Sequence, residues 1–133
     1  LVSHLEGAGV DLVVLTGYMR ILSPRFVRHY KNRILNIHPA LLPSFRGLDA
    51  FSQALEHGVM WTGTTIHLVD EDVDHGPIIY QMPVPVKRND THESLKARIQ
   101  RAEYRAYPRA IKMFIEGNPE VVGRKIVFEN GAK

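Results

Sequence analysis

Cysteine is absent from the 133 residues. That one absence removes disulfides, a thiolate nucleophile and cysteine-held zinc, and it is compatible with a reducing, cytoplasmic setting. No apolar run approaches the roughly 20 residues of a membrane span, and no secretory signal pattern is visible, so no membrane partner is expected. A dominant charge is missing too: 17 Lys and Arg against 14 Asp and Glu leave +3. The basic side chains are scattered, apart from Lys87-Arg88 and the series Lys96, Arg98, Arg101 and Arg105. That pattern argues against nucleic acid as a partner and suits an anionic small molecule. Internal repeats, low-complexity segments and a second domain boundary are also lacking, and the length suits one domain over 1–133. There is no initiator Met, and Leu1 to Gly7 reads as a helix already in progress, so the chain is expected to be the later part of a longer one.

What is present reads as α/β. Gly9 to Tyr18 is a nearly continuous aliphatic run, the pattern of an interior strand in a parallel sheet, and Met19 to Leu22 follow at its carboxyl end, where open α/β sheets bind ligands. Ser23-Pro24 starts a short helix over Arg25 to Tyr30, and Arg33 to Ile37 is the next strand. Asp49 to His57 is predicted as a helix, and Trp61 to Val69 and Pro77 to Val86 as strands. A long helix runs from Thr91 to Glu116, with Asp90 and Glu93 as a capping-box-like start and Pro108 expected to bend or divide it. Val121 to Glu129 reads as a terminal strand within a hairpin.

The stretch from Leu35 to Phe45 organises the rest. Asn36 and His38 alternate with Ile37, so both project to one side of an extended backbone before Pro39 and Pro43 turn the chain into a loop. A carboxamide can donate to an oxyanion and an imidazole can move a proton near neutral pH, which is what carbonyl transfer needs. The plainer reading, a turn cap and a satisfied core histidine, stands beside it. Asp70, Glu71, Asp72 and Asp74 form an acidic loop without EF-hand spacing. It is either a solvated loop or the source of one carboxylate turned inward to His38, and Asp74 is the choice because Val73 and Gly76 suggest a tightly placed turn. The remaining histidines show no zinc spacing, so no metal is assigned; His67, within its strand, could line the cleft, although core packing is the favoured reading. Ser44 lacks a nucleophile-elbow context.

Two longer motifs carry a resemblance. Asn36-Ile37-His38-Pro39-Ala40-Leu41-Leu42-Pro43 resembles the core motif of the folate-dependent formyltransferases. Gly63-Thr64-Thr65-Ile66-His67, followed by Asp72-Val73-Asp74-His75-Gly76-Pro77-Ile78-Ile79, resembles the second motif of that family, and the 36-residue separation of His38 from Asp74 matches as well. The resemblance extends along the whole chain, including Gly17 to Leu22 and Gln100 to Glu103. It implies a Rossmann-like formyltransferase fold: an open, mostly parallel twisted sheet with flanking helices and antiparallel strands in the later part.

The activity it implies is transfer of a formyl group from 10-formyltetrahydrofolate, as co-substrate, to the amine of glycinamide ribonucleotide in purine biosynthesis, without a metal. By the same resemblance Asn36 donates to the oxyanion, His38 assists and shuttles a proton, and Asp74 holds His38. Met19, Arg20, Ile21, Leu22 and Asn36, with Asp70, Glu71, Asp72, Val73 and Asp74, would line the folate pocket. Gln100, Arg101, Ala102 and Glu103 would meet the ribonucleotide, and a homodimer is allowed. The family's first strand and glycine-rich phosphate loop have no counterpart here, so the chain reads as the carboxyl-terminal two-thirds of a longer one. The rivals are a formyltetrahydrofolate deformylase, expected to carry a second histidine at the place of Pro39, and a non-catalytic folate-binding module. A methionyl-tRNA formyltransferase would add a basic carboxyl-terminal domain.

Overall fold

A computed structural model describes residues 2–16, 22–129 and 131. In chain order the elements are α1 (Val2–Gly7), β1 (Val13–Val14), α2 (Pro24–His29), β2 (Ile34–His38), α3 (Ala50–His57), β3 (Trp61–Leu68), β4 (Ile78–Pro85), α4 (His92–Glu116), β5 (Pro119–Val122) and β6 (Lys125–Phe128). The strands form one sheet in the order β1-β2-β3-β4-β6-β5. β1 is parallel to β2 and β4 to β6, while β3 opposes β2 and β4, and β5 opposes β6. Four strands therefore share one direction and β3 and β5 reverse it, giving a mixed sheet with its antiparallel strands in the later part.

β3 is the hub. Seven of its eight residues are buried, because strands pair on both its sides and side chains pack on both faces. Ile66 and Leu68 join Leu35, Ile79, Phe128 and the small residues Ala106 and Ala110 of α4 in one core cluster. Small residues at these α4 positions let the helix backbone approach the sheet closely. The amino-terminal half of α4 packs Leu95, Ile99 and Ala102 against Val84, Val86 and Ala54. Each fully buried aliphatic side chain contributes about 1.5–3 kcal/mol, so these two clusters fix α4 across the sheet.

Three local expectations are corrected. Of the run from Gly9 to Tyr18, only Val13 and Val14 form a strand among the described residues, paired in parallel with β2, so the strand is shorter than expected. α4 starts one residue later than the acidic pattern suggests: Thr91 is its N-cap and exchanges hydrogen bonds with Ser94 in a capping box. Asp90 instead pairs with Arg98 at 2.7 Å with only 2% of its side chain exposed, and the guanidinium holds its carboxyl well below the usual carboxylate range. Finally, Pro108 does not divide α4, which runs 25 residues without a break. Pro108 lies on the solvent side, where water can bond the Tyr104 carbonyl that its ring leaves without an amide partner.

Candidate active site

β2 and β3 pair in antiparallel register, with Asn36 opposite His67 and His38 opposite Thr65. Residues directly opposite in such a pair point to the same face. The sheet therefore presents an amide, two imidazoles and a hydroxyl together. A bulge supports this placement: Ile66 pairs with Tyr80 but His67 pairs with Ile78, leaving Ile79 unmatched, and such an extra residue re-aims the side chains beside it. Thr65 then ties the loop after β2 in place. Its hydroxyl donates to the Ala40 carbonyl at 2.7 Å and accepts from the Leu42 amide and from Gln81.

The acidic loop closes over this face. Asp74 Oδ2 lies 3.4 Å from His38 Nδ1, and Asp74 Oδ1 lies 3.8 Å from His67 Nε2, so one carboxylate sits between two rings. Both histidines are almost completely buried, and 9% of the Asp74 side chain is exposed. The segment after Pro43 holds the same groups with its main chain. The Phe45 carbonyl accepts from His38 Nε2 at 2.8 Å, and the Gly47 amide donates to Asp74 Oδ2 at 2.8 Å. Arg46 donates to the Val73 carbonyl, which fastens this segment to the acidic loop. Phe45, Asp49 and Asp74 all adopt left-handed backbone angles, with φ of 53°, 54° and 49°. Non-glycine residues reach this region only where their surroundings impose it, and such strain gathers at working sites.

Burial pushes the His67 ring below its ordinary value of 6.5, so it is held neutral. Its Nδ1 donates to the Leu68 carbonyl at 2.9 Å, and its Nε2 has no hydrogen-bond partner among the described residues. A buried acceptor is thereby left facing Asp74. The half-buried Asn36 side chain stands on the cavity wall beside them.

These side chains line a cavity of about 690 Å³. Its wall includes Leu15, Thr16 and Leu22 beyond β1, Asn36 to Pro39, the segment from Gly47 to Phe51, His67, and Val69 to Asp74. Lys96, Gln100 and Glu103 of α4 complete it. The expected residues Leu22, Asn36, Asp70, Glu71, Asp72, Val73 and Asp74 therefore stand together around one space, as do Gln100 and Glu103. Met19, Arg20 and Ile21 lie outside the described residues. Arg101 and Ala102 are not part of the described wall: Ala102 is 2% exposed in the core beneath α4, and Arg101 is exposed to solvent. A helix advances 100° per residue, so four consecutive positions cannot share a face. Burial pushes the Glu103 carboxyl above its ordinary value of 4.5. His67 is both buried in its strand and part of the cavity wall, because the strand pairing sets it opposite Asn36. Asp70, Asp72 and His75 also approach one another, with His75 Nδ1 2.7 Å from Asp70, in a cluster formed within the loop itself.

A carboxamide, an imidazole and a carboxylate thus stand around one cavity on a mixed α/β sheet, an arrangement with the donors and proton carriers that carbonyl chemistry uses. The comparison with known proteins specifies the group: a family model described as formyl transferase matches residues 1–111, and the chain belongs to that family. It is similar to the phosphoribosylglycinamide formyltransferase of Haemophilus influenzae, with 46% identity over 114 residues, 86% of this chain and 54% of that protein. Among solved structures it superposes on phosphoribosylglycinamide formyltransferase from Anaplasma phagocytophilum with a TM-score of 0.93 and 41% identity, covering 99% of this chain and 65% of that one. A formyltetrahydrofolate deformylase from Pseudomonas syringae also matches, with a TM-score of 0.89 and 38% identity over 96% of this chain and 43% of that one. The chain thus spans little more than half the length of the curated phosphoribosylglycinamide formyltransferase to which it is similar.

Proposed function

We propose that this chain carries the catalytic trio of a phosphoribosylglycinamide formyltransferase, moving the formyl group of 10-formyltetrahydrofolate to the primary amine of glycinamide ribonucleotide. The observation that carries the reading is the His38–Asp74 contact of 3.4 Å, with Asn36 on the same face of the sheet and all three opening on one cavity. The amine nitrogen adds to the formyl carbon, and the carbonyl becomes an oxyanion. The Asn36 carboxamide is the donor suited to that charge, and the His38 ring beside it assists. Collapse of the intermediate breaks the bond to the folate nitrogen, which takes a proton as the amine gives one up. His38 and Asp74 carry that proton between the two nitrogens, so no net proton is consumed. A cavity of about 690 Å³ lies within the range of small-molecule sites and is compatible with a folate and an amine meeting there. Gln100 and Glu103 on α4 are the residues assigned to the ribonucleotide, and the acidic loop to the folate. A cytoplasmic setting belongs to the same proposal; among the described residues no helix is long and apolar enough to cross a membrane.

The likeness to a deformylase supports a second reading, in which water replaces the amine. One assay separates them: purified protein is given 10-formyltetrahydrofolate with and without glycinamide ribonucleotide, and tetrahydrofolate release is followed. Release that requires the amine supports the transferase; release that ignores it supports the deformylase. His38→Ala and Asp74→Asn variants are expected to fold and to lose transfer by about 10²–10³-fold, the magnitude of a lost oxyanion donor or proton relay. Near-parent turnover in either variant refutes the assigned roles.

A further inference from the structure

The charge on the cavity wall poses a problem for the ligands proposed above. Four carboxylates come from residues 70–74, and Asp49 and Glu103 add two more. Yet a ribonucleotide carries a phosphate, and a folate ends in glutamate carboxylates. Anions entering a wall of this sign need a cation to meet. Among the described lining residues the one lysine or arginine is Lys96. Neighbouring guanidinium groups are engaged elsewhere: Arg28 pairs with Glu71 at 3.1 Å, and Arg46 donates to the Val73 carbonyl. Lys96 makes no ion pair among the described residues, and its side chain is exposed at the edge of the cavity.

The position is defined by the helix. Lys96, Gln100 and Glu103 follow one another at intervals of four and three residues, so all three stand on the cavity face of α4. Lys96 is about 10 Å from Glu103 along the axis, at the end nearer α3. One extended ligand of that length can therefore meet Gln100 or Glu103 with uncharged polar groups and Lys96 with an anionic end. An ammonium on a flexible stem suits a phosphate or carboxylate that arrives from solvent, because its three donors turn to follow the anion.

We propose that Lys96 is a substrate-binding residue that receives an anionic end group, phosphate or carboxylate, of a ligand bound along the α4 face. This assignment rests on the reading of the cavity as a formyl-transfer site. Calorimetric titration of the parent chain, Lys96→Gln and Lys96→Arg tests it with two matched pairs of ligands. One pair is glycinamide ribonucleotide and its dephosphorylated riboside. The other is a non-transferring formylfolate analogue with and without its glutamate.

Lys96→Gln is expected to weaken one anion-bearing ligand about tenfold while leaving its stripped partner unchanged, and Lys96→Arg to stay within about threefold of the parent. The difference should shrink between 50 and 200 mM salt, as expected of a charge contact at an open edge. A loss in the first pair assigns the site to phosphate, and a loss in the second assigns it to the folate carboxylates. Equal weakening of an intact ligand and its stripped partner would reveal a packing role and overturn the proposal, as would no change in either pair. If the parent chain binds neither ligand, the formyl-transfer reading fails and this assignment falls with it; if the parent binds and Lys96→Gln binds alike, only the assignment to Lys96 fails.

Discussion

Gly76→Ala is the most discriminating perturbation, because it touches neither a charged group nor a ring. A Cβ built on Gly76 would lie 1.7 Å from the Leu68 carbonyl oxygen and 2.7 Å from its carbon. A carbon–oxygen contact needs about 3.3 Å, so the turn must move by roughly 1.5 Å. Leu68 cannot yield easily. Its amide donates to the Pro77 carbonyl at 2.9 Å, and its own carbonyl accepts from His67 Nδ1 at 2.9 Å. Overpacking of this kind costs about 1–3 kcal/mol, and loss of one buried hydrogen bond adds about 1 kcal/mol. With an unfolding entropy of about 2.1 cal/mol/K per residue, a loss of about 2–4 kcal/mol lowers the melting temperature of a chain this size by about 7–14 °C. Asp74 lies two residues earlier on the same turn and moves with it. A displacement near 1 Å at a reacting constellation costs about 10²-fold, and that is the expected fall in kcat/KM for formyl transfer. Gly58→Ala is the control. Its φ is 68° and no atom lies within 4 Å of the added carbon, so it should lose only about 1 kcal/mol and keep its activity. Thermal melts by circular dichroism and initial rates on the folded variants provide the measurements. A Gly76→Ala protein that melts within about 3 °C of the parent and transfers formyl normally would refute the reasoning.

Two further outcomes follow from buried charge. Glu103 binds its proton more tightly folded than unfolded, so its contribution favours folding in acid and is lost as pH rises through its folded value. Glu103→Gln should therefore melt a few degrees above the parent at pH 7.5 and lose that advantage below pH about 4, while binding of the ribonucleotide weakens. His67 has the opposite sign. Its depressed folded value makes its contribution present above the ordinary 6.5 and lost as pH falls below it. His67→Gln should show a shallower fall in melting temperature between pH 7 and pH 5 than the parent; an equal or steeper fall would contradict a neutral, buried ring.

Much of the candidate site's grouping was readable because its residues sit on short periods. Asn36 and His38 are two apart on a strand, and the alternation alone puts them on one face. Gln100 and Glu103 share a helix face by the three-residue interval, whereas Arg101 and Ala102 follow the same motif and turn away. What stayed hidden depends on pairing between distant segments. The register that sets His67 opposite Asn36, and the bulge at Ile79 that aims it, arise from strand contacts no local pattern encodes. The Phe45 carbonyl and Gly47 amide were invisible for another reason: they act through the main chain, and any residue there offers the same groups. The cap of α4 was misplaced by one residue because Asp90, a good cap by type, is drawn into an ion pair with Arg98.

The hydrogen bonds around His38 constrain the chemistry further. A carbonyl oxygen only accepts, so the ring nitrogen 2.8 Å from Phe45 carries a hydrogen. The other ring nitrogen, Nδ1, lies 3.4 Å from Asp74 Oδ2, and the Gly47 amide donates to that same oxygen and fixes it in place. The other oxygen faces His67, whose Nε2 is an acceptor in the neutral ring and offers Asp74 no donor of its own. The segment from Phe45 to Gly47 therefore holds both His38 and Asp74 through its main chain, so a change in that segment alters the two together.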